Sequence, residues 1–233
     1  MPELPTQRPA QLLGTLGAAA ILFGSVLALR QARLKLLVAY STIAQIGYLF
    51  LVFPIVTGPI GGSAAGVGAW TGGALQLISH AFAKAAMFMA AGIVAKALGH
   101  DRIAGFDGIG RALPLTMLAL ALAGLSLMGL PPSGGFVAKW LLSTSAVATG
   151  QWWWALAILL GGLLTGTYLF RVLAPALASP AEGAALRVTV PRSQEIAVLG
   201  LALCSVLLGF VPFGSLQLVA IGRLGAALGA GGG

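Results

Sequence analysis

Charge is scarce in this 233-residue chain: 8% of its residues are charged and 58% hydrophobic, whereas a soluble domain carries about 25% charged residues. Water is therefore not its main solvent. Cysteine is nearly absent too. The single one, Cys204, excludes an intramolecular disulfide and any cysteine-based metal or iron–sulfur site, and inside its apolar run it reads as packing. No acid lies within an apolar run, and Glu195 marks only the start of the last one. A nucleotide-binding loop, a nucleophile constellation and a soluble domain of any size are all missing, which argues against an independent enzyme. Neither a cofactor nor a metal site is expected. The opening residues Met1 to Arg8, with an acid and two prolines, do not resemble a signal peptide. The net charge of +8 comes from basic residues standing singly or in short clusters between apolar runs. That is the pattern of topology signals, not of a nucleic-acid-binding face.

What is abundant is apolar sequence in stretches of membrane-spanning length. The runs predict helices over Gln11 to Leu29, Leu36 to Val56, Gly73 to Ala95, Trp152 to Phe170 and Ile196 to Val219. Two shorter pieces, Leu115 to Gly129 and Phe136 to Thr149, flank Leu130-Pro131-Pro132-Ser133-Gly134-Gly135. No helix continues through that segment, because proline lacks a donor and glycine frees the backbone. Each short piece reaches about 22 Å, less than the ~30 Å hydrocarbon core. Counting the pair as one broken crossing puts the basic clusters Arg30/Arg33/Lys35, Lys96/Arg102/Arg111 and Arg171/Arg187/Arg192 on one side. The expected fold is all-α: a polytopic bundle of about six spans, one discontinuous, with both termini on the outer side of a cytoplasmic (inner) membrane. Residues 1–10 read as an N-terminal extension, 11–219 as the transmembrane domain and 220–233 as a flexible Gly/Ala-rich tail.

Charged groups inside spans cost at least about 2.5–3.5 kcal/mol each and mark function by default. Three titratable groups qualify: His80, Lys84 and Lys139. Lys84 lies twelve residues from Gly72 and twelve from Lys96, too deep to snorkel. Gln76, His80 and Lys84 recur at i, i+4 and i+8, which makes one polar stripe on an apolar helix. Ser41, Gln45 and Tyr48 make a second stripe. Lys139 falls in the first turn after the break, where unpaired backbone groups hold water. Histidine titrates near neutrality, and lysine exchanges its proton more readily once desolvated, so the set suits proton transfer. The competing readings are an interhelical hydrogen bond for His80, structural glue for Lys84 and an interfacial position for Lys139. Trp152, Trp153 and Trp154 read as an interfacial belt.

Three segments carry a family resemblance. Lys35-Leu-Leu-Val-Ala-Tyr-Ser-Thr-Ile-Ala-Gln-Ile-Gly-Tyr48, His80-Ala-Phe-Ala-Lys84-Ala-Ala-Met-Phe88 and Gly129-Leu-Pro-Pro-Ser-Gly-Gly-Phe-Val-Ala-Lys139-Trp140 stand in this order. They resemble segments of the antiporter-like proton-translocating subunits of respiratory complex I, membrane-bound hydrogenases and multisubunit sodium/proton antiporters. The resemblance covers about Gln11 to Val219. It implies that Lys84 is the central lysine of a half-channel, with His80 as its relay. Lys139 then matches the lysine or glutamate of the broken helix, and Lys35 is a topological lysine at the cytoplasmic end.

Family members carry two inverted repeats, and this chain is similar to the second repeat plus the last helix. The first repeat, with its buried glutamate and broken-helix lysine, has no counterpart here. Arg33 and Leu34 stand where an acid often precedes the lysine that Lys35 matches. The resemblance implies a proton-translocating subunit of an NADH:quinone oxidoreductase-like or hydrogenase-linked complex with no redox centre of its own. Its partners would be other membrane subunits, including a chain that supplies the first repeat. The alternatives are a subunit of a sodium/proton antiporter and a non-transporting structural fragment of a split gene.

Overall fold

A computed structural model describes residues 6–58, 64–178 and 187–211. Helix α1 (Gln7–Leu29) turns sharply into α2 (Leu34–Phe50), and the short α3 (Val52–Val56) continues the same span. The interruption at Leu51 has a local cause: Pro54 has no N–H to give the Phe50 carbonyl. Helix α4 (Ala64–Leu98) follows, and a short α5 (Ile109–Ala112) leads to α6 (Pro114–Met128) and α7 (Gly134–Ala148). Helix α8 (Trp152–Leu177) and α9 (Arg192–Leu207) complete the bundle. Among the described residues, five spans are long and apolar enough to cross a membrane, the α2–α3 pair counting as one. The chain is an all-α, multi-pass membrane protein.

Two boundaries differ from the sequence expectation. Helix α1 begins at Gln7, four positions before the expected start at Gln11. Helix α4 has 35 residues, or about 52 Å at 1.5 Å per residue, and begins nine positions before Gly73. The expected end of the last span at Val219, the tail 220–233 and the first five residues lie outside the described residues.

Helices α6 and α7 form one discontinuous span, because both lie along α4 and run against it. Near the start of α4, a Cβ on Gly72 would stand 3.0 Å from the Ala138 carbonyl of α7. Toward its end, Ala83, Met87, Ala90 and Val94 share a buried apolar cluster with Met117, Leu120 and Ala123 of α6. The two 15-residue pieces together match the reach of one long crossing.

The ends of the bundle differ in charge. Three basic connections meet at one end: Leu34 N–H donates to Asp101 O at 2.8 Å, Gly108 N–H to Pro175 O at 3.1 Å and Arg187 N–H to Ala97 O at 2.8 Å. Arg171 donates to the Leu29 carbonyl, and Arg33 pairs with Asp101 at 3.9 Å. At the opposite end, the buried Gln151 amide ties Gln11, Pro54 and Trp154 together.

Apolar packing divides into two main clusters along the bundle. One, toward the basic end, includes Leu37, Val38, Ala83, Leu127 and Tyr168. The other includes Tyr48, Leu51, Leu142, Trp154 and Ile158. Between them stand buried polar residues on α2 (Ser41, Gln45), α4 (Gln76, Ser79) and α8 (Thr165), while Ser126 and Lys139 lie beside the α6–α7 break. The polar side chains thus form a layer near mid-bundle, where lipid offers no alternative hydrogen-bond partner.

Candidate proton-transfer site

The site begins at the helix break. Helix α6 ends on Gly129 with φ +85°, a left-handed conformation that favours glycine. Gly129 N–H bonds Ser126 O at 3.1 Å and Leu130 N–H bonds Leu125 O at 3.1 Å. This C-terminal cap leaves two of the four orphan carbonyls of the last turn, Leu127 and Met128, without backbone partners.

Helix α7 restarts at Gly134, capped by Ser133, whose hydroxyl accepts from Phe136 N–H at 3.1 Å. Lys139 is its sixth residue, so the side chain lies in the second turn and not the first. From there Nζ donates to Leu127 O at 2.5 Å and to Met128 O at 3.4 Å. The Lys139 amine therefore caps a helix C-terminus, where the macrodipole is negative. Its other face covers the Tyr48 ring, 4.2 Å from the centroid.

Helices α2 and α4 run antiparallel, and the two polar stripes meet. Lys84 Nζ donates to Ser41 Oγ at 2.5 Å and to Val38 O at 3.0 Å. Gln76 Nε2 donates to Gln45 Oε1 at 3.0 Å, and Gln45 Nε2 donates to Leu127 O at 3.2 Å. The Leu127 carbonyl thus receives both Gln45 and Lys139. The Tyr168 hydroxyl, buried on α8, donates to Thr165 Oγ1 at 3.2 Å. Two buried bonded groups result: Lys84 with Ser41 and Val38 O, and Gln76, Gln45, Leu127 O and Lys139. Ser41 and Gln45 stand one turn apart on α2, which sets the two groups side by side. Both lysines are buried, at 5% and 6% exposure, and among the described residues neither pairs with a carboxylate.

Other expected residues are placed as follows. His80 is half-buried, and its Nδ1 is buried without a hydrogen-bond partner. It stands one turn from Lys84 on α4 and outside the bonded groups. The Tyr48 hydroxyl is also buried without a partner, so this residue contributes its ring face. Lys35 is exposed at the basic end, Pro131 and Pro132 are exposed in the break, and Gly134 and Gly135 are buried helical residues of α7. Trp152 and Trp153 are exposed as a belt requires, but Trp154 is buried and donates to Gln151 at 3.1 Å. Among the described residues, no three His, Cys, Asp or Glu side chains gather as a metal site.

Sequence reasoning missed two features. Glu195 is 5% exposed, and its carboxylate accepts from Thr116 N–H at 3.0 Å and from Thr116 Oγ1 at 2.8 Å. It caps the N-terminus of α6 from another helix, beyond its place at the start of α9. The Ser79–Ser126–Ser205 cluster had only one sequence signal, namely small polar residues on apolar helices.

Because the Tyr48 hydroxyl has no partner, Tyr48→Phe is expected to lie within about 1 kcal/mol of wild type in stability. Tyr48→Leu removes the ring beneath a desolvated ammonium and is expected to cost about 2 kcal/mol or more. Thermal unfolding in detergent separates the two.

The comparisons with known proteins agree with this architecture. Residues 4–165 match the family described as NADH:quinone oxidoreductase/Mrp antiporter, TM. The chain is 36% identical over 218 residues to NADH-quinone oxidoreductase subunit N of Desulforudis audaxviator, covering 88% of this chain and 42% of that subunit. A chain of the archaeal membrane-bound sulfane sulfur reductase superposes with TM-score 0.77 at 28% identity, over 91% of this chain and 41% of that one. A chain of the Mrp complex from a Dietzia species superposes with TM-score 0.78 at 22% identity, over 91% and 46%, a likeness of fold. The chain thus spans less than half the length of each of these three. It is a member of the NADH:quinone oxidoreductase/Mrp antiporter transmembrane family.

Proposed function

We propose that this chain is a proton-translocating membrane subunit of a complex I-like or hydrogenase-linked assembly, and that the proton passes among Lys84, His80 and Lys139 through buried polar groups and water. The observation that carries the proposal is the Leu127 carbonyl, which accepts from both Gln45 and Lys139 and so brings the helix break to within one turn of Ser41, the partner of Lys84. Each lysine is held by neutral dipoles. Two cations in a low-dielectric layer repel one another, so arrival of a proton at one favours departure from the other. His80, with its unpartnered buried nitrogen, is the point at which a water enters the relay.

The basic end faces the cytoplasm of an inner membrane and both termini face outward. Residues 11–219 are the translocating unit, and another chain supplies the first repeat. Lys35 then acts on topology, not transport. Gln45→Leu tests the link: proton flux in vesicles bearing the assembled complex is expected to fall about tenfold, the effect of ~1.4 kcal/mol, roughly one buried hydrogen bond. Wild-type flux in this variant overturns the proposal.

A second reading, a subunit of a multisubunit sodium/proton antiporter, draws on the likeness to the Mrp complex. Sodium-dependent flux favours that reading, and sodium-independent flux favours the first.

A further inference from the structure

Three hydroxyls meet beside the break, one from each of three helices. Ser79 Oγ of α4 lies 2.9 Å from Ser126 Oγ of α6 and 3.0 Å from Ser205 Oγ of α9, and Ser205 Oγ lies 2.7 Å from Ser126 Oγ. Ser205 Oγ also lies 3.0 Å from the Ser79 carbonyl. All three residues are at most 1% exposed. A hydroxyl buried in apolar surroundings is costly unless it is bonded, and these three satisfy one another.

The cluster also reaches across the break. Gly135 N–H, an orphan donor of the first turn of α7, bonds Ser126 Oγ at 3.3 Å. The backbones approach closely here. A Cβ on Gly134 would stand 2.7 Å from the Leu208 side chain and 3.0 Å from the Ser205 carbonyl. Ser126 immediately precedes Leu127 and Met128, whose carbonyls hold Lys139. Whatever fixes Ser126 therefore fixes the lysine's cradle.

We infer that Ser79, Ser126 and Ser205 are positioning residues for Lys139: their hydroxyl cluster straps the end of α6 to the start of α7 and sets the Leu127 and Met128 carbonyls under the ammonium. Through Ser205 the last helix, α9, reaches the transfer site without touching either lysine. A displacement of α9 against α4 pulls on the cradle and alters how Lys139 is held. The inference rests on the assignment of Lys139 as a proton carrier.

The test uses the assembled complex in membrane vesicles, with Ser205→Ala and Ser79→Ala as variants on two different helices. Cys204→Ala, an exposed neighbour on α9, is the control. Hydrogen–deuterium exchange of the peptide containing Gly135 is expected to rise about tenfold in both serine variants, matching loss of roughly one hydrogen bond. The pH at which proton flux is half-maximal is expected to move with it. Ser205→Thr, which keeps the hydroxyl, restores both, and Cys204→Ala changes neither. Unchanged exchange in both serine variants overturns the clamp. Raised exchange with an unmoved flux–pH midpoint overturns the positioning of Lys139 and leaves a purely structural cluster. Failure of the proton-carrier assignment reads differently: Lys139→Ala then pumps like wild type, whatever the exchange shows.

Discussion

Lys84→Ala is expected to give a complex that assembles in the membrane and carries less than about one hundredth of wild-type proton flux. A loss of two orders of magnitude is the scale for removing a group that itself relays a proton. Lys84 Nζ is the donor that joins α4 to Val38 and Ser41 of α2, and alanine leaves neither a proton carrier nor a way to relay through the Ser41 hydroxyl. Folding is affected less than flux. Insertion of a lysine into a span costs at least about 2.5–3.5 kcal/mol, so its removal relieves a penalty that offsets the lost hydrogen bonds. Flux and assembly are measured on the same vesicles, by a pH-sensitive dye and by native gel. Reduced flux with reduced assembly in equal proportion contradicts the expectation.

The second large effect concerns the break. Gly135→Val is expected to abolish flux and to destabilise the fold by about 1–3 kcal/mol or more. A Cβ at this position runs into the Ser126 carbonyl, and backbone cannot step aside as a flexible side chain can. To make room, α7 must separate from α6. That breaks the Gly135–Ser126 bond and draws Lys139 away from Leu127 and Met128. Gly92→Ala is the matched control, since a Cβ there meets no atom within 4 Å. It is expected to leave both flux and thermal unfolding unchanged.

Much of this arrangement was legible in the sequence because periodicity carries it. Ser41, Gln45 and Tyr48 share a helix face at 3.6 residues per turn, as do Gln76, His80 and Lys84, and in the bundle Gln45 meets Gln76 while Ser41 meets Lys84. The Pro131-Pro132 pair announced the broken span. What stayed hidden lay in the backbone or far along the chain. The Leu127 carbonyl has no side-chain signature, yet it joins Gln45 to Lys139.

The placement of Lys139 in the second turn follows from Ser133, which caps α7 early and takes the two glycines into the helix. Glu195 and Thr116 are 79 positions apart, so no local pattern reports their contact. The three tryptophans could not all face lipid. Consecutive helical residues point about 100° apart, and Trp154 turns inward to Gln151.

The proposed proton path runs through both lysines in series. It is tested most directly by proton flux through the assembled complex in vesicles for Lys84→Ala, Lys139→Ala and the double variant. Groups acting as one unit are strongly non-additive. Each single variant is expected to lose flux as completely as the double. Wild-type flux in either single variant, or a double variant whose loss is the product of two partial losses, contradicts that path.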